Sequence, residues 1–473
     1  ISAARVVLPV TISARKTSMW RCVSMIVYIR YESNVDIQAF YCIADQVHHS
    51  RYPFIRPDSS AMSLDSRQLA TLAQQYGTPL WVYDADVIRD RIAQLRQFDL
   101  IRYAQKANSN VHILKLMREE GACVDAVSLG EIERSLAAGF SPAGEPEGVV
   151  FTADLIDRPT LAAVLKHGVT VNAGSLDMLA RIGEHAPGHR VWLRVNPGFG
   201  HGHSNKTNTG GPQSKHGIWI DDVPRAIEIV RQYGLKLVGI HMHIGSGVDY
   251  GHLSQVCDAM VDLVTSLGHD IDAISAGGGL SIPYRDGEPR VDVGHYFSQW
   301  DAARKRIERH LGHPVRIEIE PGRFLVAEAG TLVTEVQAVN RRPKHDFVLI
   351  DAGFNDLMRP SMYGSYHAVS VHTHDGALPA GRPLVDLAIA GPLCESGDVF
   401  TQDAGGVVTH RKLAQPQIGD LLFLHDAGAY GASMSSNYNS RPLAPEVLVD
   451  RGAPRLIRRR QTIDELLALE TFE

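Results

Sequence analysis

No apolar run in this chain comes near the ~20 residues that a membrane-spanning helix needs, which argues against a helical integral membrane protein. Cysteine is scarce. The five (Cys22, Cys42, Cys123, Cys257 and Cys394) are scattered over 473 residues, with no Cys-x-x-Cys pair and no metal-ligand spacing. That pattern offers no metal site and suits a reducing cytoplasm. An excess of one charge is missing too: 47 Lys and Arg face 53 Asp and Glu, for a net charge of −6. There is no basic footprint for nucleic acid or an anionic membrane, so neither is expected as a partner. Internal repeats and low-complexity linkers are absent. What is present, 44% hydrophobic and 21% charged residues over a length that can bury two or three cores, is the composition of an ordinary soluble globular protein.

The first 61 residues read as foreign to the remainder. The chain starts with Ile1, and Ser18 to Arg30 is a short apolar run with basic flanks but no convincing small-residue cleavage site. Coherent patterning starts near Met62, where Leu64, Leu69 and Leu72 open a helical face. Residues 1–61 are therefore expected to be a leader outside the working protein.

From Ile101 to Arg323, short strand-like runs alternate with amphipathic segments such as Leu129–Ala138 and Gln255–Leu267. The strand candidates are Ile101–Ala107, Val124–Ser128, Val149–Ala153, Val169–Ala173, Val191–Asn196, Leu237–Gly245, Ala273–Gly279 and Val315–Arg323. Eight such units predict an α/β fold, a (β/α)8 TIM barrel. A doubly wound sheet is the runner-up, but no Gly-x-Gly-x-x-Gly opens a helix after the first strand. After Gly330 the pattern turns to strands: Thr331–Asn340, Phe347–Ile350, Leu384–Ala390 and Leu421–His425. The expected boundaries are residues 62–85 for a segment that lends Pro79–Tyr83 to the β domain, 86–329 for the barrel and 330–473 for the C-terminal β domain, ending in a short helix at Gln461–Leu469.

Chemistry in a barrel gathers at the carboxyl ends of the strands. Lys106 ends the first candidate strand, where partial burial would disfavour the ammonium form and leave an amine able to condense with an aldehyde. His241 and His243 end the sixth, Gly277–Gly279 the seventh and Glu320–Arg323 the eighth. The two histidines share a strand face, as metal ligands can, but no third ligand is evident, and a catalytic zinc usually needs three. No metal is expected. An imidazole stacked on an aromatic cofactor is the reading for His243, with a structural strand-end role weighed for His241. The glycine run suits a phosphate cradle, although glycine runs alone are more often plain turns. Glu320 suits a partner for a pyridine nitrogen, against a surface salt bridge with Arg316 or Arg323.

Tyr103-Ala-Gln-Lys106-Ala-Asn108, His243-Ile-Gly-Ser246, Gly277-Gly-Gly279, Glu320-Pro-Gly-Arg323, Met358-Arg-Pro-Ser-Met-Tyr363 and Gly391-Pro-Leu-Cys-Glu-Ser-Gly397 occur in this order. Together they resemble the diaminopimelate decarboxylases of Gram-negative type, alanine racemase-like enzymes of fold type III that use pyridoxal 5'-phosphate. The resemblance runs from about Leu80 to Leu469. It implies that Lys106 carries the cofactor covalently and that His243 stacks on its ring. It places Ser246, Gly279, Pro321, Gly322, Arg323 and Tyr430 around the cofactor, with Glu320 at the ring nitrogen. It assigns Arg323, Arg359 and Tyr363 to a carboxylate of meso-diaminopimelate, Glu395 to its distal ammonium, Tyr430 to substrate as well as phosphate, and Cys394 to proton donation. Cys394 and Glu395 reach the site from a second subunit in this family, so a homodimer with shared active sites is implied.

Ornithine or arginine decarboxylases of the same fold are the nearest alternative. They typically carry aspartate after the cysteine, where this chain has Glu395, and Arg359 would repel a simple diamine tail. A racemase would use a tyrosine base in place of the cysteine. A non-catalytic cofactor-binding homologue would lack Cys394 or the β domain.

Overall fold

The computed structural model describes residues 64–200, 209–243, 245 and 250–471, and the backbone of two short strands before them. The chain divides into two compact units, residues 1–55 and 56–473. In the first, β1 (Val23–Val27) and β2 (Ala39–Ile43) form an antiparallel pair. The rest of the expected leader lies outside the described residues, as does Ser246.

In the second unit the helix Ser66–Tyr76 opens with a capping box between Asp65 and Gln68, and it buries Leu69, Ala70, Leu72 and Ala73. Next comes β3 (Leu80–Asp84), and then the barrel strands: β4 (Leu100–Ala104), β5 (Cys123–Ala126), β6 (Val149–Ala153), β7 (Thr170–Ala173), β8 (Arg190–Asn196), β10 (Lys236–His241), β11 (Ala273–Ser275) and β12 (Arg316–Ile319). All eight pair in parallel, and the β8–β10 and β12–β4 pairings close the ring. A two-residue strand, β9 (Ile218–Trp219), adds to the end of β8. The strands are near-continuous apolar runs because the barrel interior covers one face and the helices the other.

The helix Leu176–His185 shows how one such cover is specified. Ser175 Oγ accepts the Met178 N–H at 3.2 Å, and its replacement by alanine would cost about 1 kcal/mol. Met178, Leu179 and Ile182 recur at helical spacing and turn inward onto the sheet. Ile182 is fully buried, so Ile182→Ala would cost about 2–5 kcal/mol. Pro187 follows at once and prevents continuation.

Five barrel strands stop earlier than the sequence suggests; β5 ends at Ala126, short of Ser128. β4 ends at Ala104, and Lys106 stands in a 3₁₀ turn, Gln105–Ala107. β10, β11 and β12 end at His241, Ser275 and Ile319, which leaves the glycine run and Glu320–Arg323 in loops. The turn leaves the sheet because the Ala107 carbonyl accepts the Tyr430 N–H (2.8 Å) and the Ser433 hydroxyl (3.0 Å) from the C-terminal domain.

That domain is a mostly β structure. β13 (Gly330–Asn340) is its spine, pairing with β3, β14 (Phe347–Ile350) and β18 (Leu421–Leu424). β16 (Leu384–Ala390) and β17 (Arg411–Ala414) extend one edge, and β19 (Glu446–Asp450) and β20 (Ala453–Arg458) the other. β15 (Val369–His372) pairs with β18. The segment before the barrel thus belongs to the second sheet, since β3 lies between β13 and β19. A terminal helix spans Ile463–Leu467.

Candidate active site

The carboxyl ends of the barrel strands and the facing loops of the β domain enclose a cavity of about 570 Å³, within the usual range for a small-molecule site. Lys106, His243, Gly279, Glu320, Gly322, Arg323, Arg359, Tyr363 and Tyr430 all line it. Residues separated by more than 300 positions in sequence therefore meet in one space. Pro321 is not among the lining residues; its carbonyl instead accepts the Ala104 N–H (3.1 Å) and ties the loop to β4.

Lys106 differs from the sequence expectation. Its turn projects the side chain into the cavity mouth, where it is exposed rather than partly buried. Its charge is nonetheless felt by Asp125, Glu131 and His243.

Glu320 is buried, and neither Arg316 nor Arg323 is its partner. Its carboxylate accepts from His241 Nε2 (2.8 Å) and from the Ser275 hydroxyl (3.0 Å). Burial works against ionisation, but the His241 contact and the Arg102 charge outweigh it and hold the carboxyl below its ordinary range. Asp125, on β5, takes the opposite course: burial and the Glu320 charge raise it well above the usual value. Two neighbouring carboxyl groups are thereby driven in opposite directions, Glu320 towards the ionised form and Asp125 towards the protonated one. Desolvation, then the Arg194 and Lys106 charges, push His243 well down, so its ring is neutral.

The glycine loop has no room for side chains. An added Cβ would lie 2.5 Å from the Met242 carbonyl oxygen at Gly277, 2.5 Å from that of Glu320 at Gly278 and 2.3 Å from that of Gly245 at Gly279. Backbone that approaches so closely can present its amides to an anion. On the opposite wall, Arg323 Nη1 donates to the Tyr284 hydroxyl (2.7 Å), and its guanidinium carbon lies 5.2 Å from the Tyr430 ring centre. Arg359 lies 4.9 Å from the Tyr284 ring centre. An amine, an anion cradle, a neutral imidazole with its Nδ1 unpartnered, and an ionised carboxylate suit an aromatic aldehyde that bears a phosphate and a ring nitrogen.

Cys394 and Glu395 do not join this cavity. Both are exposed on the loop after β16, with the Cys394 N–H donating to Asn439 Oδ1 (2.9 Å) and the Tyr438 hydroxyl to Glu395 (3.4 Å). Ser246 lies outside the described residues. Among the described residues no group of three or more His, Cys, Asp or Glu is placed to hold a metal, and no helix is long and apolar enough to cross a membrane.

Asp125, Arg194 and Tyr284 line the cavity but escaped the sequence reading. Asp125 and Arg194 carried a usable signal, a charged residue inside an apolar strand that nears its carboxyl end. Tyr284 carried none, because it lies in an irregular loop.

Comparison with known proteins agrees with this geometry. The family model described as pyridoxal-dependent decarboxylase, pyridoxal binding domain, matches residues 85–327. Diaminopimelate decarboxylase of Escherichia coli K12 is 62% identical over 412 residues, covering 87% of this chain and 98% of that protein. The Streptomyces coelicolor enzyme of the same name is 62% identical over 408 residues, covering 86% and 92%. A crystal structure of diaminopimelate decarboxylase superposes with a TM-score of 0.85 at 62% identity, covering 87% of this chain and 98% of that one. An arginine decarboxylase from Paramecium bursaria Chlorella virus shares the fold alone, at 19% identity and a TM-score of 0.68. With the barrel, the cavity and these matches in agreement, the chain belongs to the diaminopimelate decarboxylase family of pyridoxal-dependent carboxy-lyases.

Proposed function

We propose that this chain decarboxylates meso-2,6-diaminopimelate to L-lysine and CO2, the last step of lysine biosynthesis, with pyridoxal 5'-phosphate as cofactor. The observation that carries the reading is the meeting of Lys106, the glycine loop, Glu320 and the Arg323–Arg359 pair in one cavity. Lys106 holds the cofactor covalently. The glycine loop, together with Ser246 and Tyr430, would hold the phosphate, and the neutral ring of His243 would pack on the pyridine. His241 and Ser275 fix the carboxylate of ionised Glu320, which would keep a proton on the pyridine nitrogen. When bound, pyridoxal phosphate would supply the electron sink that decarboxylation at Cα requires.

Arg323, Arg359 and Tyr363 bind a substrate carboxylate. Among the described residues Arg323 is held by the Tyr284 hydroxyl and Arg359 by His367 and the Tyr284 ring, so both guanidinium groups line the cavity without a carboxylate partner. A substrate with an amino-acid group at each end answers that charge, whereas the tail of ornithine does not. Cys394 supplies the proton to Cα and Glu395 takes the distal ammonium, both from a partner subunit, which accords with their position outside the cavity of their own chain. The working form is a cytoplasmic homodimer, and the leader has no part in the chemistry. In support, 87% of this chain accounts for 98% of the Escherichia coli relative.

The test is product identity. Purified protein with added pyridoxal phosphate should release lysine and CO2 from meso-diaminopimelate, and Arg359→Ala should lose roughly 30- to 150-fold in kcat/KM, the equivalent of about 2–3 kcal/mol for a charge-assisted contact. Faster turnover of ornithine, arginine or lysine would overturn the assignment.

A further inference from the structure

Arg359 opens the short helix Arg359–Tyr363 and is 5% exposed. Its Nη1 donates to His367 Nε2 at 2.9 Å. On the other side of the same ring, His367 Nδ1 lies 2.9 Å from the carbonyl oxygen of His425. A carbonyl oxygen can only accept, so Nδ1 carries the proton and Nε2 presents its lone pair to the guanidinium. Only this tautomer serves both partners. Burial and the Arg359 charge hold His367 well below its ordinary pKa, so the ring stays neutral and the lone pair stays available. Protonation would set a cation against Arg359.

The surroundings leave Arg359 few other anchors. Tyr284 lies under its guanidinium at 4.9 Å and packs edge-on against His367, with ring centres 5.7 Å apart at 79°. The same tyrosine accepts from Arg323 through its hydroxyl (2.7 Å). Two guanidinium groups are thus held on one aromatic residue, and one of them is fixed from behind by a neutral imidazole. His367 is not among the residues that line the cavity, while Arg359 is. An arginine side chain has several rotatable bonds, and its planar fork binds a carboxylate well only when its orientation is set.

We propose that His367 is a positioning residue for substrate recognition: by accepting from Arg359 Nη1 it fixes the guanidinium so that its other N–H groups serve the substrate carboxylate. This rests on the carboxylate-binding role given to Arg359 above.

Asparagine and glutamine separate the two ends of the imidazole. The amide of asparagine reaches the position of Nδ1 and can still donate to the His425 carbonyl. The amide of glutamine reaches the position of Nε2 and can still accept from Arg359. In the holoenzyme, His367→Gln is expected to keep KM for meso-diaminopimelate within about threefold of wild type, whereas His367→Asn raises it about 10-fold or more; kcat and cofactor content stay within about twofold in both, as for loss of uniform binding. In an Arg359→Ala background, His367→Asn adds no further rise in KM, because the residue acts through Arg359.

Equal KM values for the two variants would overturn the proposal, as would additive effects in the Arg359→Ala background. Should His367→Asn not fold, His367→Gln decides alone: a folded variant with KM raised more than about tenfold overturns the acceptor role, and one near wild type supports it. If Arg359→Ala itself leaves KM unchanged, the carboxylate-binding role of Arg359 fails. If Arg359→Ala raises KM and His367→Asn does not, the positioning role alone fails.

Discussion

Gly279→Ala is the sharpest perturbation that the cavity offers. Gly279 has φ +105°, and an added Cβ would lie 2.3 Å from the Gly245 carbonyl oxygen and 3.6 Å from His243 Cε1. A residue with a Cβ pays about 1–2 kcal/mol for the positive φ. The clash is with backbone and cannot be relieved by turning a side chain, so overpacking adds about 1–3 kcal/mol. The sum, about 2–5 kcal/mol, is relieved most cheaply if the loop moves off its cofactor-binding geometry, and at 1.4 kcal/mol per factor of ten the affinity for pyridoxal phosphate falls roughly 30-fold or more. Gly287 is the control. It has φ +80° with nothing within 4 Å of its Cβ position, so Gly287→Ala carries the backbone cost without the clash. The assay is absorbance titration of the apoenzyme with pyridoxal phosphate, paired with thermal unfolding of both variants. A Gly279→Ala enzyme that binds the cofactor within about threefold of wild type would refute the cradle reading.

Further outcomes follow from the same geometry. Borohydride should bleach the visible absorbance of the purified yellow enzyme and leave the cofactor on Lys106; a label on another lysine refutes the assignment. Lys106→Ala and Cys394→Ala dimers should each be nearly inactive, and their mixture should regain roughly a quarter of wild-type activity, since about half the dimers are mixed and each of those has one intact site. Confirmed subunit exchange without recovery would mean that the site is built within one chain. Removal of residues 1–52 should leave activity and Tm unchanged, and a large loss of soluble protein would show that the leader packs on the enzyme. His367 adds a pH effect with a definite sign. Its folded value lies below 6.5, so as pH falls through 6.5 the unfolded chain takes up a proton that the folded one refuses, and stability drops by up to about 1.4 kcal/mol per pH unit until the folded value is reached. His367→Gln lacks this proton, so its Tm should fall less than that of wild type between pH 7 and 5.5; equal losses would contradict a neutral buried His367.

The barrel was legible because each strand is a short apolar run set off from an amphipathic helix, a pattern carried by neighbours in sequence. Strand ends were less so. Whether Gln105–Ala107 continues β4 depends on the Ala107 carbonyl, which Tyr430 and Ser433 claim from the far end of the chain. In the second domain β15, β17, β19 and β20 were missed, since four to six residues of mixed polarity acquire strand character only beside β18, β16 and β3.

For the site, the sequence determined the chemical inventory: a lysine, a glycine run, a glutamate before Pro-Gly-Arg, and a second arginine before Pro-Ser. It could not determine the pairs. His241 meets Glu320 across 79 positions, and Tyr284 gathers Arg323 and Arg359 from a loop without any periodic signal. Charge states belong to the tertiary structure as well. Asp125 and Glu320 are both buried carboxyl groups, and the His241 imidazole and the Arg102 charge beside Glu320 set their pKa values moving in opposite directions. Periodicity is a local property that a chain carries within any stretch of ten residues. Burial and Coulombic contact depend on distance in space, and folding alone sets that distance.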